Sequence, residues 1–267
     1  MFLLPKIIQF FHHSSPKVRE SAIFCINQFL NIRCDILLMH FFDSFIAALY
    51  QHASDEAAEV RRRVCQSLVL VLDTRPEAII PEIDNIVKFM LFCIQQEDET
   101  IALEACEFWL SFAELNELME YLQPYVKELL PLLLRNMVYD QETIIMLESL
   151  NEDMSVPDNV QDIKPRHHKA KIHAQEVNET GSEQDEKSGR DNDESDYDED
   201  DEDEDDFDME WSVRKCSAAT LDVLSVTFGD VLLPDLLPAI QENMLHPSWE
   251  RRECGILALG AISEGIC

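Results

Sequence analysis

A helix of one pattern returns along this chain at a nearly constant interval. Pro16-Lys-Val18-Arg19-Glu-Ser-Ala22 opens a stretch whose apolar positions, Val18, Ala22, Cys25, Ile26, Phe29 and Leu30, fall on one stripe at helical spacing. Glu59-Val60-Arg61 opens a second, striped by Val60, Val64, Leu68, Val71 and Leu72. Glu99-Thr100-Ile101 opens a third, through Cys106, Trp109 and Leu110. The starts at Val18, Val60 and Ile101 lie 42 and 41 residues apart. Further amphipathic segments fall between and after them, at about 35–51, 76–94 and 125–134, and each reads as the partner of the helix before it. Pro76 then stands in a first turn, where a missing N–H costs nothing. Paired helices repeating near 40 residues predict HEAT or armadillo stacking, because no pair covers its apolar face alone and neighbours must close a continuous core. The Pro-x-Val-Arg form favours HEAT, and three matched periods speak against a helical bundle. The expected fold class is all-α: a HEAT-repeat solenoid of stacked antiparallel helix pairs with a long disordered acidic loop.

The pattern breaks once. Glu142-Thr143-Ile144 aligns with Glu99-Thr100-Ile101, but the stripe dissolves by Asn151. A modestly basic patch follows, Lys164-Pro-Arg166-His-His-Lys169-Ala-Lys171-Ile-His173. Then comes DNDESDYDEDDEDEDDFDME over residues 191–210, in which 15 of 20 residues are acids and none is Lys or Arg. Such a run cannot bury enough apolar surface to offset ordering, and its charges repel one another, so it is expected to stay extended in water. Pattern resumes at Trp211-Ser-Val213-Arg214-Lys215, continues through a helix at about 232–245, and reaches Trp249-Glu-Arg251-Arg252-Glu-Cys254. That last stretch looks like the first helix of a further pair, so the chain reads as a segment of a longer solenoid. The expected organisation is an N-terminal HEAT block over 1–150, a loop over 151–209 that is basic and then acidic, and a C-terminal HEAT block over 210–267.

Charge excludes some functions. The net charge is −32, and residues 176–210 hold 20 acids against Lys187 and Arg190. Nucleic-acid binding by phosphate neutralisation needs a basic face and is not expected. Basic proteins or basic peptide signals are the expected partners, drawn in fast and with strong salt dependence. The eight cysteines form no C-x-x-C pair, and most sit among apolar residues at helical spacing. They read as reduced core cysteines of a cytosolic or nuclear protein. The opening MFLLPKIIQFFHH lacks a cleavage site, and no apolar run reaches the length of a membrane span.

Chemistry is scarce. His167, His168 and His173 cluster without a second set of ligands, so no metal is expected. No nucleophile elbow and no Gly-rich phosphate loop occurs, so neither an enzyme nor a cofactor is expected. Ser182 and Ser195 each precede an acid by three residues, the pattern that acidophilic kinases accept. One constellation does suggest a site. On a helix from 211 to 228, Val213, Cys216, Leu221, Leu224 and Phe228 share one stripe, while Trp211, Ala218, Ala219 and Asp222 lie opposite. That second face offers an aromatic, two small residues over which a backbone can come close, and a carboxylate. It is either a solvent face or a helix contact, or else a peptide groove in which Asp222 holds a donor.

Several stretches together resemble a known family. They are Leu130-Pro-Leu-Leu-Leu, the Lys164-Pro-Arg166-His segment, the acidic run, Trp211-x-Val-Arg-Lys-Cys-Ser-Ala-Ala219, Leu232-Leu-Pro-Asp-Leu-Leu-Pro238 and Gly255-Ile-Leu-Ala-Leu-Gly-Ala-Ile262. In this order they resemble the transportins (karyopherin-β2), nuclear import receptors of the importin-β family, along essentially the whole chain. The resemblance implies import of cargo carrying basic, Pro-Tyr-ended localisation signals, release driven by GTP-bound Ran, contact with nucleoporins, and residence in both cytoplasm and nucleus. It implies that Ala218, Ala219, Asp222 and Leu257 hold the Pro-Tyr end; Trp211 joins them from the helical wheel. It also implies that the acidic loop, at Asp198, Glu199, Asp200, Asp201, Glu202, Asp203, Glu204, Asp205 and Asp206, passes Ran binding on to the cargo groove. The family's first repeats, with much of the Ran contact, and its later cargo-binding repeats have no counterpart in this sequence. The alternative is a HEAT scaffold or chaperone-like module that binds basic proteins through the acidic tract alone.

Overall fold

The computed structural model describes residues 3–32, 41–150, 211–263 and 265. Among these, every regular element is helical: α1 (Leu3–Gln9), α2 (Pro16–Asn31), α3 (Phe42–Tyr50), α4 (Ala58–Thr74), α5 (Ile83–Cys93), α6 (Glu99–Glu114), α7 (Val126–Asn136), α8 (Gln141–Leu150), α9 (Val213–Phe228), α10 (Leu233–Met244) and α11 (Trp249–Ile262), with short 3-10 turns between some of them. The chain divides into two units. One comprises Met1–Glu152 with Ser212–Cys267, and the other, Asp153–Trp211, lies outside the described residues except for Trp211.

The pattern helices stack side by side in the order α2, α4, α6, α9, α11. Polar contacts show that neighbours in this row run parallel. Near their starts, Arg63 donates to Glu20 at 2.9 Å, and further along Ser67 Oγ donates to Asn27 at 2.6 Å. The same holds later in the row, where Arg214 meets Glu253 near the starts of α9 and α11 and Ser225 Oγ meets the Ala261 carbonyl at 3.5 Å near their ends. Four of the other helices pair forwards onto this row: α1 packs on α2, α5 on α6, α7 on α9 and α10 on α11. The expectation that each pattern helix opens its pair is therefore corrected. It closes the pair, and α11 is a second helix, not a first. Since α7 pairs with α9, the segment beginning at α8 and running through the acidic insert joins the two helices of one pair.

Burial follows the stripes with local shifts. Val60, Val64, Leu68, Val71 and Leu72 are all buried, as are Ile101, Cys106 and Trp109. On α2 the buried face is Ala22, Ile23, Ile26, Asn27 and Leu30, so Cys25, expected in the stripe, is exposed. Asn27 can be inside because Ser67 satisfies its carbonyl oxygen and its amide faces Gln66 Oε1 at 3.4 Å. The core is thickest at α6, where Phe108, Trp109 and Phe112 are fully buried and pack as neighbours with ring centroids 5.6–6.2 Å apart. Each such ring contributes about 1.5–3 kcal/mol by leaving water. The expected helix over 76–94 starts later than its pattern, at Ile83, after two 3-10 turns that each carry a proline near the start.

An arginine in fourth position locks the turn before three row helices. Arg19 Nη1 donates to the carbonyls of His13 and Ser14 at 2.9 and 3.1 Å. Arg61 Nη1 reaches Asp55 and Glu56 at 2.9 and 3.0 Å. Arg252 Nη1 reaches His246 and Pro247 at 2.9 and 2.6 Å. The fourth residues of α6 and α9 are Ala102 and Cys216, which cannot do this. These two helices are capped from the front instead, by Asp98 and Ser212.

Candidate functional site

The candidate groove lies along α9 and α11. α9 starts because the Ser212 side chain accepts from the Lys215 N–H at 3.4 Å, and stops at Gly229, whose φ of 52° is open to a residue without Cβ. Its inward face is buried between two neighbours. Toward α6, Cys106 Sγ lies 3.4 Å from Ser217 Oγ and 3.9 Å from Thr220 Oγ1. Toward α11, Ser225 meets Ala261. The buried set is thus Cys216, Ser217, Thr220, Leu221, Leu224 and Ser225, which adds three hydroxyls to the expected stripe; Val213 and Phe228 are only half-buried. The hydroxyls go inside because short polar side chains can turn back to the helix, as Thr220 does by donating to the Cys216 carbonyl at 2.8 Å.

Ala218, Ala219 and Asp222 fall outside that buried set and are half-exposed on α9, and Leu257 is half-exposed on α11. Arg214 and Glu253 form an ion pair. Ala218 and Leu257 each stand four residues further along these parallel helices, so they share a level one turn on. Trp211 stands before the helix begins at Val213. It precedes Ser212, the N-cap, and belongs to the second unit.

Charges of both signs surround the candidate groove, with Arg214 and Lys215 on α9, Arg251 and Arg252 on α11, and acids on α6. The α6 side chains that are not buried include Glu99, Glu104, Glu107 and Glu114. Burial raises the Glu99 carboxyl above its ordinary value, helped by Asp140 and Glu142, and burial with Asp73 does the same for Glu114. Burial and Glu253 push the Cys254 thiol up to about 11, while its Sγ–H donates to the Leu134 carbonyl at 3.2 Å. A neutral thiol held this way is core and not a nucleophile. Among the described residues no group of His, Cys, Asp and Glu could hold a metal ion, and no helix is long and apolar enough to cross a membrane.

Sequence reasoning missed the cluster at the foot of α9. Arg214, besides its pair with Glu253, lays its guanidinium 3.9 Å from the Tyr139 ring centroid. Tyr139 in turn sits 6.0 Å from Trp249, the first residue of α11. A signal was available: Arg214 and Glu253 are opposite charges 39 residues apart, one repeat length, like Glu20 and Arg63 at 43. The acidic residues 198–206, Ser182, Ser195 and the basic patch 164–173 lie outside the described residues, as do Cys34 and Cys267.

Comparison with known proteins adds a family frame. The HEAT repeat model matches residues 3–32, the span of α1 and α2, in the same frame as the pairing above. Mouse Transportin-1 is 46% identical over 264 residues, covering 98% of this chain and 28% of the relative. Importin subunit beta-2 of Schizosaccharomyces pombe is 41% identical over 269 residues, covering 99% and 29%. The chain thus spans under a third of the length of these curated relatives. Among solved structures, that of yeast importin-β, Kap95p, with RanGDP superimposes with a TM-score of 0.63 at 16% identity, covering 99% of this chain and 26% of that one. A likeness at that identity speaks for the solenoid fold.

Proposed function

Since this chain belongs with the transportins, the importin β-2 family of HEAT solenoids, we propose that it is the part of a nuclear import receptor that holds the Pro-Tyr end of a basic localisation signal. The observation that carries this is the level shared by α9 and α11, where Ala218 and Leu257 are half-exposed on two parallel helices tied together at both ends, with half-exposed Ala219 next to them and Asp222 one turn further along α9. Small residues admit a peptide backbone, Leu257 offers apolar contact for a proline, and the Asp222 carboxylate accepts from a tyrosine hydroxyl or a backbone N–H. The acids of α6 lie in the neighbouring repeat and favour a basic segment upstream of that end. Under this reading the partners are cargo proteins with such signals, Ran-GTP and nucleoporins, and the receptor moves between cytoplasm and nucleus. The role of the acidic residues 198–206 in coupling Ran-GTP to release rests on the family resemblance.

The test is a titration of the full chain with a basic peptide ending in Pro-Tyr against the same peptide ending in Ala-Ala. The Pro-Tyr peptide is expected to bind more tightly, and Asp222→Ala to remove about 1–2 kcal/mol of that preference, the worth of a hydrogen bond to a charged acceptor. Equal binding of both peptides would mean that the chain responds to basic charge alone, as a scaffold or chaperone-like module does.

A further inference from the structure

Three segments meet at the foot of α9. Arg214 brings α9 itself, Tyr139 the connection between α7 and α8, and Trp249 with Glu253 the start of α11. Tyr139 precedes the acidic insert in sequence and Arg214 follows it, so this one cluster fastens both of the flanking helical segments to the next repeat. We propose that Arg214 and Glu253 are positioning residues of the groove: their ion pair, stacked on Tyr139 beside Trp249, sets the spacing of α9 against α11 one turn below Ala218 and Leu257. The inference rests on the groove reading above, and it adds residues that touch no peptide.

Three observations support it. First, α9 lacks the fourth-position arginine that locks α2, α4 and α11, so apart from the Ser212 cap its start is tied to its surroundings by this cluster. Second, the restraint at its other end is of a different kind. There a Cβ on Gly265 would collide with the Ser225 backbone carbonyl, a close approach that holds only that end. Third, the ion pair is poorly built for stability. Its side chains are 18% and 35% exposed, and Arg214 Nε and Glu253 Oε2 have no hydrogen-bond partner among the described residues. A half-buried pair with unsatisfied atoms contributes little net stability, so its value lies in fixing geometry. Arginine suits this place because a flat guanidinium stacks on a ring while pairing at its edge, which a lysine ammonium cannot do.

The experiment measures the full chain and its Arg214→Ala, Arg214→Lys, Glu253→Gln and double Arg214→Ala/Glu253→Gln variants with the two peptides, alongside thermal melting. Arg214→Ala and Glu253→Gln are each expected to weaken the Pro-Tyr peptide about fivefold and to leave the Ala-Ala peptide unchanged, with a lower melting midpoint where a half-buried partner is stranded. The double variant should lose no more than either single one, because the pair acts as a unit. Arg214→Lys, keeping charge without the stack, should fall between. Unchanged Pro-Tyr binding in Arg214→Ala, or an equal loss for both peptides, overturns the proposal. If the unaltered chain shows no Pro-Tyr preference, the groove reading fails, and amide exchange then decides the spacing claim. Arg214→Ala should speed exchange at 136–140 and 249–257, and unchanged exchange there overturns the clasp too.

Discussion

Asp55 shows how much one side chain can organise at a solenoid turn. Its carboxylate takes Arg19 Nη2 and Nε at 2.7 and 2.8 Å, the Ala57 N–H at 3.0 Å, and faces His52 Nδ1 at 3.3 Å. Burial by itself would raise this carboxyl. The Arg19 hydrogen bonds, with Ala57 and His52, outweigh it and hold the group at about 2 against an ordinary 3.8. Burial pulls the other way on His52, whose imidazole is pushed toward its neutral form. Asp55→Ala strands an Arg19 side chain that is only 15% exposed, and is expected to cost about 3 kcal/mol in chemical denaturation at pH 7. The sign with pH follows from the depressed value. The contribution is complete above about pH 4 and is lost as pH falls through about 2, so the gap between the two proteins should be level from pH 7 to 5 and narrow below 4. A gap that widened in acid would contradict the assignment of Asp55 as the ionised partner.

At the level of the helix, α11 carries two glycines with opposite expectations. A Cβ on Gly255 would lie 2.8 Å from the Met244 side chain, 3.1 Å from its backbone nitrogen and 3.3 Å from the Ile240 carbonyl, whereas one on Gly260 meets nothing within 4 Å. Gly255→Ala should therefore cost about 1–3 kcal/mol by forcing α10 from α11. Gly260→Ala should stabilise the helix by about 0.5–1 kcal/mol, since alanine restricts the unfolded chain and suits a helix interior. Thermal melts of both variants check the pair of signs. Such close packing marks the boundary of what the sequence reveals. Stripes of period 3.6 located nearly every pattern helix and its buried set, because an amphipathic helix must bury its apolar face. They could not decide which helix opens a pair, since α1 and α2 are both amphipathic and the period is the same in either frame. The stripe on α2 admitted Cys25 and passed over Asn27, because hydrogen bonds from the next helix, invisible in one helix's pattern, make that amide welcome inside. At the candidate groove, Ala218, Ala219 and Asp222 were legible as the face left over by the stripe. Leu257 came from family resemblance alone. Arg214 and Glu253 were passed over because their partnership spans a repeat and not a helical turn.

Across the whole molecule, the insert occupies the connection within a pair whose second helix carries half of the proposed groove. Anything tethered there is present at the groove at roughly millimolar effective concentration when the tether is short. An acidic segment that visits the site lowers apparent affinity for a basic signal by the fraction of time it occupies it. Deleting residues 176–208 from a full-length receptor should leave cargo binding intact or slightly tighter, while release on adding GTP-bound Ran fails. Normal release by the deleted receptor, followed with a fluorescent cargo peptide, would reduce the insert to a solubilising segment. The contact of α6 with α9 along the row has a further consequence. Contacts between α2 and α4 join residues about 40 apart, as Asn27 and Ser67 do, but Cys106 waits for Ser217, 111 residues on. The added loop-closure entropy is small, about 1 kcal/mol, so the finished fold hardly registers it. Time on the ribosome does. At about 5–20 residues per second, the side of α6 that α9 covers stays open for roughly 5–20 s of synthesis. The nascent chain is then most dependent on chaperones while it is making its least hydrophobic residues.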